Sequence, residues 1–191
     1  MNQIILASAS PRRTEILKEF KINHIVIPSQ SEELYNPNNE VTKIVEEIAC
    51  SKTRDLAIQY PNDYVIGADT IVSIDNKILG KPKDEAQAIS MLKLLQNRTH
   101  QVITGVCISY NNKEYVFHEI TDVVFDKMTN DQIKEYIHND YVYDKAGSYA
   151  IQSKYAWFIK EIKGSYYNVM GLPIERLIEE LKNKLGLGFE F

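Results

Sequence analysis

The chain has 191 residues, with 22 Lys and Arg against 26 Asp and Glu and a net charge of −4. That length suffices for one large domain or two small lobes around a hydrophobic core. The acid excess excludes a general nucleic-acid binder, which carries a basic balance, but leaves small anionic ligands open, because a local cluster of Arg and Lys binds them whatever the total charge.

Residues 4–7 read as a short buried strand, after which Ser10 is placed to cap a helix with Pro11 at its first position. Ile16, Leu17 and Phe20 give that helix an apolar face, and a second strand fits residues 24–28. A polar stretch with Glu32, Glu33 and Pro37 follows. Val41, Ile44, Val45, Ile48, Ala49 and Leu56 then recur at helical spacing. Residues 64–68 read as a buried strand ending at Gly67-Ala68-Asp69-Thr70, with a short hairpin around Asp75-Asn76 leading into Leu79-Gly80-Lys81-Pro82. Asp84 caps a helix carrying Ala88, Met91, Leu92 and Leu95. Residues 101–127 alternate, turn at Asn111-Asn112 and form a long antiparallel hairpin. Thr129 and Gln132 make a capping box ahead of Ile133, Tyr136 and Ile137, and residues 173–185 close the chain as a helix. Interleaved helices and strands with a long hairpin predict an α/β fold with a mixed, twisted sheet flanked by helices.

The two cysteines, Cys50 in a helical pattern and Cys107 in a strand pattern, lack metal-ligand spacing and read as free thiols in a reducing compartment. The apolar run at 4–7 is too short for a signal-peptide core, and no run is long enough to span a membrane. Cytoplasm is the expected location.

Four groups of residues bear on chemistry. The loop Ser8-Ala9-Ser10-Pro11-Arg12-Arg13 joins a strand to a helix N-terminus, whose N–H groups and partial positive charge suit an anion. Ser8 and Ser10 add hydroxyls, and Arg12 and Arg13 add planar cationic forks that match phosphate oxygens. Taken alone, the loop is equally two surface arginines and a cap. Asp69, at the expected end of a buried strand with small neighbours Gly67 and Ala68 that leave room for a ligand to approach, joins Glu32 and Glu33 in a carboxylate set able to hold Mg²⁺ near a triphosphate; turn-forming and solvated roles are the alternatives. Lys52 falls on the buried stripe of its helix, four residues after Ile48, where it must snorkel or meet a buried anion. Lys81 sits in a constrained turn and points inward or to solvent. In residues 144–152, Gln152 offers the donor and acceptor that complement N3–H and O4 of uracil or thymine. His100, Met91 and Trp157 read as structural.

The segments LASASPRRTEIL, GADTIV, LGKPKDEAQAISML, YDKAGSYAIQ and NVMGLP occur here in the order that characterises the Maf family of nucleotide pyrophosphatases, named for an association with septum formation. The resemblance runs from Leu6 to Pro173 and, with the rest of the chain, makes 1–191 one domain. It implies a fold similar to the inosine-triphosphate pyrophosphatases, with two lobes and an active-site cleft. It implies hydrolysis of the α–β phosphoanhydride to a nucleoside monophosphate and pyrophosphate with Mg²⁺ or Mn²⁺. By motif, Ser8, Arg12 and Arg13 resemble the phosphate grip, and Asp69 the catalytic acid/base. Glu33 resembles its acidic partner at the metal, and Lys52 and Lys81 the charge-neutralising lysines. The pattern KAGxYxIQ at Lys145 to Gln152 is similar to that of the branch acting on dTTP, UTP and some modified uridine triphosphates, with Arg12, Thr70 and Gln152 at specificity positions. A homodimer is the family's common state. The alternative function is a nucleotide-sensing regulator of septum formation with little turnover; a purine-directed pyrophosphatase is a second. Two positions depart from the pattern: Gln96-Asn97 stands where Ser-Gly is common, and Ala150 replaces a common glycine.

Overall fold

A computed structural model of the protein describes residues 2–188; residue 1 and residues 189–191 of the expected domain lie outside the described residues. In chain order the elements are β1 (Ile4–Leu6), α1 (Pro11–Glu19), β2 (Ile25–Val26), α2 (Val41–Ala57), β3 (Tyr64–Ile74), β4 (Lys77–Leu79) and α3 (Glu85–Leu95). Then come β5 (Thr99–Tyr110), β6 (Lys113–Phe125), α4 (Asn130–Asn139), a 3₁₀ turn at Ala146–Ser148, β7 (Ile159–Lys163), α5 (Tyr166–Met170) and α6 (Ile174–Leu185).

The seven strands form one sheet in the order β2-β1-β3-β5-β6-β7, with β4 paired to β3. β1 is parallel to β2 and β3, whereas β4 and β7 run antiparallel to their neighbours, so the sheet is mixed as expected. The chain divides into two compact units: Met1–Asp69, Thr104–Glu119 and Gly171–Phe191 form the first, and Thr70–Ile103 with Ile120–Met170 the second. β3, β5 and β6 contribute residues to both.

In the first unit, α2 buries Ile44, Val45, Ile48, Ala49, Thr53 and Leu56 at the expected helical spacing. Two glycines let it lie directly on the strands. A Cβ on Gly67 of β3 would stand 2.4 Å from Thr53 Oγ1 and 2.6 Å from Ala49 O, and one on Gly105 of β5 would stand 2.5 Å from the Val45 carbonyl. The space beside Gly67 is therefore filled by α2 and gives no approach to a ligand, contrary to the sequence expectation. Asp69 is also not at a strand end: β3 continues five residues beyond it, because Ile71, Val72 and Ile74 are all buried and carry the strand on into the second unit.

The second unit gathers its core from β3, α3, β5, β6 and α4, around Leu92, Leu95, Val123, Phe125, Ile133 and Phe158. Asp84 caps α3 by accepting from Gln87 N at 2.8 Å, and Thr129 and Gln132 form both halves of the capping box on α4. The β5–β6 turn has Asn111 and Asn112 at φ 49° and 60°, the left-handed pair a two-residue hairpin needs. Asn97 takes φ 56°, so this asparagine supplies the backbone geometry for which glycine is the usual choice. β7 and α5 are additions to the predicted elements. β7 is a five-residue strand without a fully buried residue, so its sequence lacks the apolar alternation of a packed strand.

Candidate active site

α1 begins at Pro11 with Ser10 at the N-cap position, but the Ser10 side chain makes no capping hydrogen bond. The loop is instead braced through Ser8, whose Oγ accepts from Ser10 N at 3.2 Å and from Arg13 Nη1 at 2.9 Å. Arg13 is 8% exposed, and its Nε donates to Gly171 O at 2.8 Å, across 158 residues of sequence. Burial lowers the Arg13 guanidinium from its ordinary pKa; the Asp69 carboxylate pushes it back up, Arg12 lowers it, and Glu33 raises it. Those interactions place Arg12, Asp69 and Glu33 in the electrostatic surroundings of Arg13.

Lys52 joins the carboxylates. Its Nζ lies 2.8 Å from Asp69 Oδ1 and 2.8 Å from Glu33 Oε1. The Lys52 and Asp69 side chains are 15% and 13% exposed, and that of Glu33 is 57% exposed. Of the two alternatives its spacing left open, the lysine on the apolar stripe thus meets an anion, the Asp69 carboxylate. Three elements build this junction: α2 carries Lys52, the middle of β3 carries Asp69, and the polar segment after β2 carries Glu33. The close approach of α2 to Gly67 fixes how far Lys52 sits from Asp69, two residues further along β3. Thr53, fully buried, reinforces that contact with its hydroxyl 2.9 Å from Ala49 O and 3.1 Å from Cys107 O.

Arg12, Arg13 and Lys52 against Asp69 and Glu33 leave a net positive charge, which suits an anionic ligand. Two carboxylates converging on one ammonium form an all-oxygen pair of the kind hard cations take. Gly171 and Thr53 were not singled out in the sequence. A backbone carbonyl and a buried hydroxyl carry no charge pattern, although Gly171 lies within the NVMGLP segment.

Thr70, Lys81 and Gln152 belong to the second unit. Thr70 is half-buried and follows Asp69 on β3, while Lys81 and Gln152 are exposed. The loops bearing Lys81 and Gln152 are tied together, since Gly147 N donates to Gly80 O at 3.1 Å. Gly147 has φ 69°, and a Cβ there would stand 3.0 Å from the Val72 side chain. Ser148 Oγ lies 3.1 Å from Met91 Sδ, and Ala150 N donates to Tyr136 Oη at 3.1 Å. Ala150 is absent from the positive-φ residues, so the usual glycine is not needed at that position. His100 is structural as expected, but it has a partner: its Nε2 is 2.8 Å from Tyr149 Oη, and its ring packs edge-on to Phe125 and Tyr149. Burial lowers its pKa to about 4.

Among curated proteins, the chain is 44% identical over 182 residues to a dTTP/UTP pyrophosphatase of Bacillus mycoides, covering 95% of each. It is 45% identical to the protein of that name from Bacillus cytotoxicus and 43% identical to that from Shouchella clausii, each over 95% of both chains. The solved Staphylococcus aureus Ham1 protein is similar at 20% identity over 65% of this chain and 72% of that one, with a TM-score of 0.46. The family model described as "Maf-like protein" matches residues 3–184, and the chain belongs to the Maf family.

Proposed function

We propose that the protein is a nucleoside triphosphate pyrophosphatase acting on dTTP and UTP, and on uridine triphosphates modified away from the base edge that Gln152 reads. The observation that carries the reading is the Lys52 ammonium, 2.8 Å from both Asp69 and Glu33, in the electrostatic surroundings of the Ser8–Arg13 loop. Relatives 43–45% identical over nearly their whole length bear that activity in their names.

In this reading Arg12, Arg13 and the start of α1 hold the triphosphate, with Ser8 and Gly171 O keeping Arg13 in place. Lys52 engages Asp69 through Oδ1 and leaves Oδ2 to orient the attacking water and take its proton. The water oxygen bonds to the α-phosphorus, the α–β bridging bond breaks, and pyrophosphate leaves with the electron pair. Lys52 and Lys81 neutralise charge growing on the phosphates. Thr70, beside Asp69, and Gln152 select the base, Gln152 by pairing with N3–H and O4 of a pyrimidine. Asp69 and Glu33 are the residues that would hold Mg²⁺ or Mn²⁺, which supplies Lewis-acid polarisation of phosphate oxygens. A cytoplasmic homodimer completes the proposal, and light scattering of the purified chain measures the oligomer.

A panel of canonical nucleoside triphosphates with Mg²⁺ or Mn²⁺, read by chromatography of products, tests the reading. It expects monophosphate and pyrophosphate from dTTP and UTP. Preference for ITP or XTP would replace it with a purine-directed enzyme, and binding without release would leave a nucleotide sensor.

A further inference from the structure

The two cysteines, distant in sequence and in different elements, are neighbours in the first unit. Cys50 of α2 and Cys107 of β5 are both buried and pack in one cluster with Ala49. The Glu114 carboxylate of β6 completes the group: one ligand atom from each residue lies within 4.8 Å of the others. We propose that Cys50, Cys107 and Glu114 bind a thiophilic divalent ion, Zn²⁺, through two thiolates and one carboxylate oxygen.

Several features distinguish this cluster from two thiols packed as small apolar groups. Tetrahedral zinc with Zn–S near 2.3 Å and Zn–O near 2.0 Å places its ligand atoms roughly 3.5–3.8 Å apart, a spacing the cluster reaches with small side-chain movements. Glu114 is also held in a fixed orientation. Arg54 Nε and Nη2 donate to its two oxygens at 2.7 and 2.6 Å, one turn of α2 beyond Cys50. Each carboxylate oxygen keeps a second lone pair, so Arg54 takes the place of the outer partner that orients a metal-bound carboxylate. The route in is from the Glu114 side, where the carboxylate side chain is 31% exposed while both sulfurs are buried. A water fills the fourth position, and binding releases the thiol protons to solvent. Asp69 and Glu33, an oxygen pair, differ in chemistry from this set and select a different cation.

Chelator-treated full-length protein is titrated with Cd²⁺, and the thiolate-to-metal charge-transfer absorption is followed; Zn²⁺ competition then gives its affinity. The expected result is a band saturating at about one ion per chain with release of about two protons. It should vanish in Cys50→Ser and Cys107→Ser, weaken at least ~10-fold in affinity in Glu114→Gln, and persist in Asp69→Asn. Circular dichroism of the metal-free variants checks their fold. Should the serine variants unfold, Glu114→Gln and protection of the wild-type thiols from alkylation by Zn²⁺ decide the matter. A wild-type chain without the band overturns the proposal, as does a band indifferent to Glu114→Gln. So does a chain whose thiols close to a disulfide under mild hydroperoxide while Cd²⁺ gives no band, which would make them a redox pair.

Discussion

Replacing Gly67 by alanine perturbs the geometry of the candidate site from behind. The new Cβ would meet Thr53 Oγ1 at 2.4 Å, Ala49 O at 2.6 Å and Thr53 N at 3.0 Å, and two of the three are backbone atoms of α2. Ordinary contact begins near 3.4 Å, so α2 and β3 must part by about 0.8–1 Å locally. Overpacking of this kind costs about 1–3 kcal/mol, which for a chain of this length lowers Tm by roughly 2–12 °C. The same displacement acts on Lys52, whose 2.8 Å contact with Asp69 is set by that packing. A misplacement near 1 Å costs roughly 10²-fold in rate. Calorimetry and initial rates of pyrophosphate release on Gly67→Ala measure both. Gly80→Ala is the control, because a Cβ there meets nothing within 4 Å. A Gly67→Ala protein with wild-type Tm and wild-type turnover would refute the claim that α2 seated on this glycine sets the Lys52–Asp69 distance.

Other outcomes follow from the same contacts. Lys52→Met removes the ammonium between two carboxylates, so turnover should fall ~10²-fold or more while Mn²⁺ affinity, measured by calorimetry, rises; unchanged turnover would count against the assigned role. Arg13→Met removes the donors to Ser8 Oγ and Gly171 O and should cost about 1–3 kcal/mol in urea unfolding, with dTTP binding weakened as well. His100 binds its proton near pH 4 in the folded chain but near 6.5 when unfolded. The unfolded state therefore takes up the proton first as pH falls. Stability is complete above 6.5 and declines toward 4, by ~2 kcal/mol at pH 5. Urea midpoints at pH 7 and 5 check this, and the decline should shrink in His100→Gln.

Local rules carried most elements. Helical spacing placed α2, and the Thr129–Gln132 box placed α4. Lys52 was half legible: an ammonium on a buried stripe must snorkel or meet an anion, and only the structure shows it meeting Asp69. What stayed hidden depends on distant chain segments meeting. The extension of β3 past Asp69, the Gly67 contact with α2, the Arg13 bond to Gly171 and the Cys50–Cys107 pairing each join segments that no local periodicity connects. Gly67 is the instructive case. Small residues next to Asp69 suggested room for a ligand, whereas α2 packing takes the space beside Gly67. β7 escaped because a half-exposed edge strand need not alternate.

The most direct test of the central claim pairs turnover with binding for dTTP on wild type and Asp69→Asn. The Lys52-bridged carboxylate as the group that handles the attacking water predicts pyrophosphate release falling by orders of magnitude in Asp69→Asn, with dTTP affinity largely kept by Arg12, Arg13 and the start of α1. Near-normal release from Asp69→Asn would contradict it.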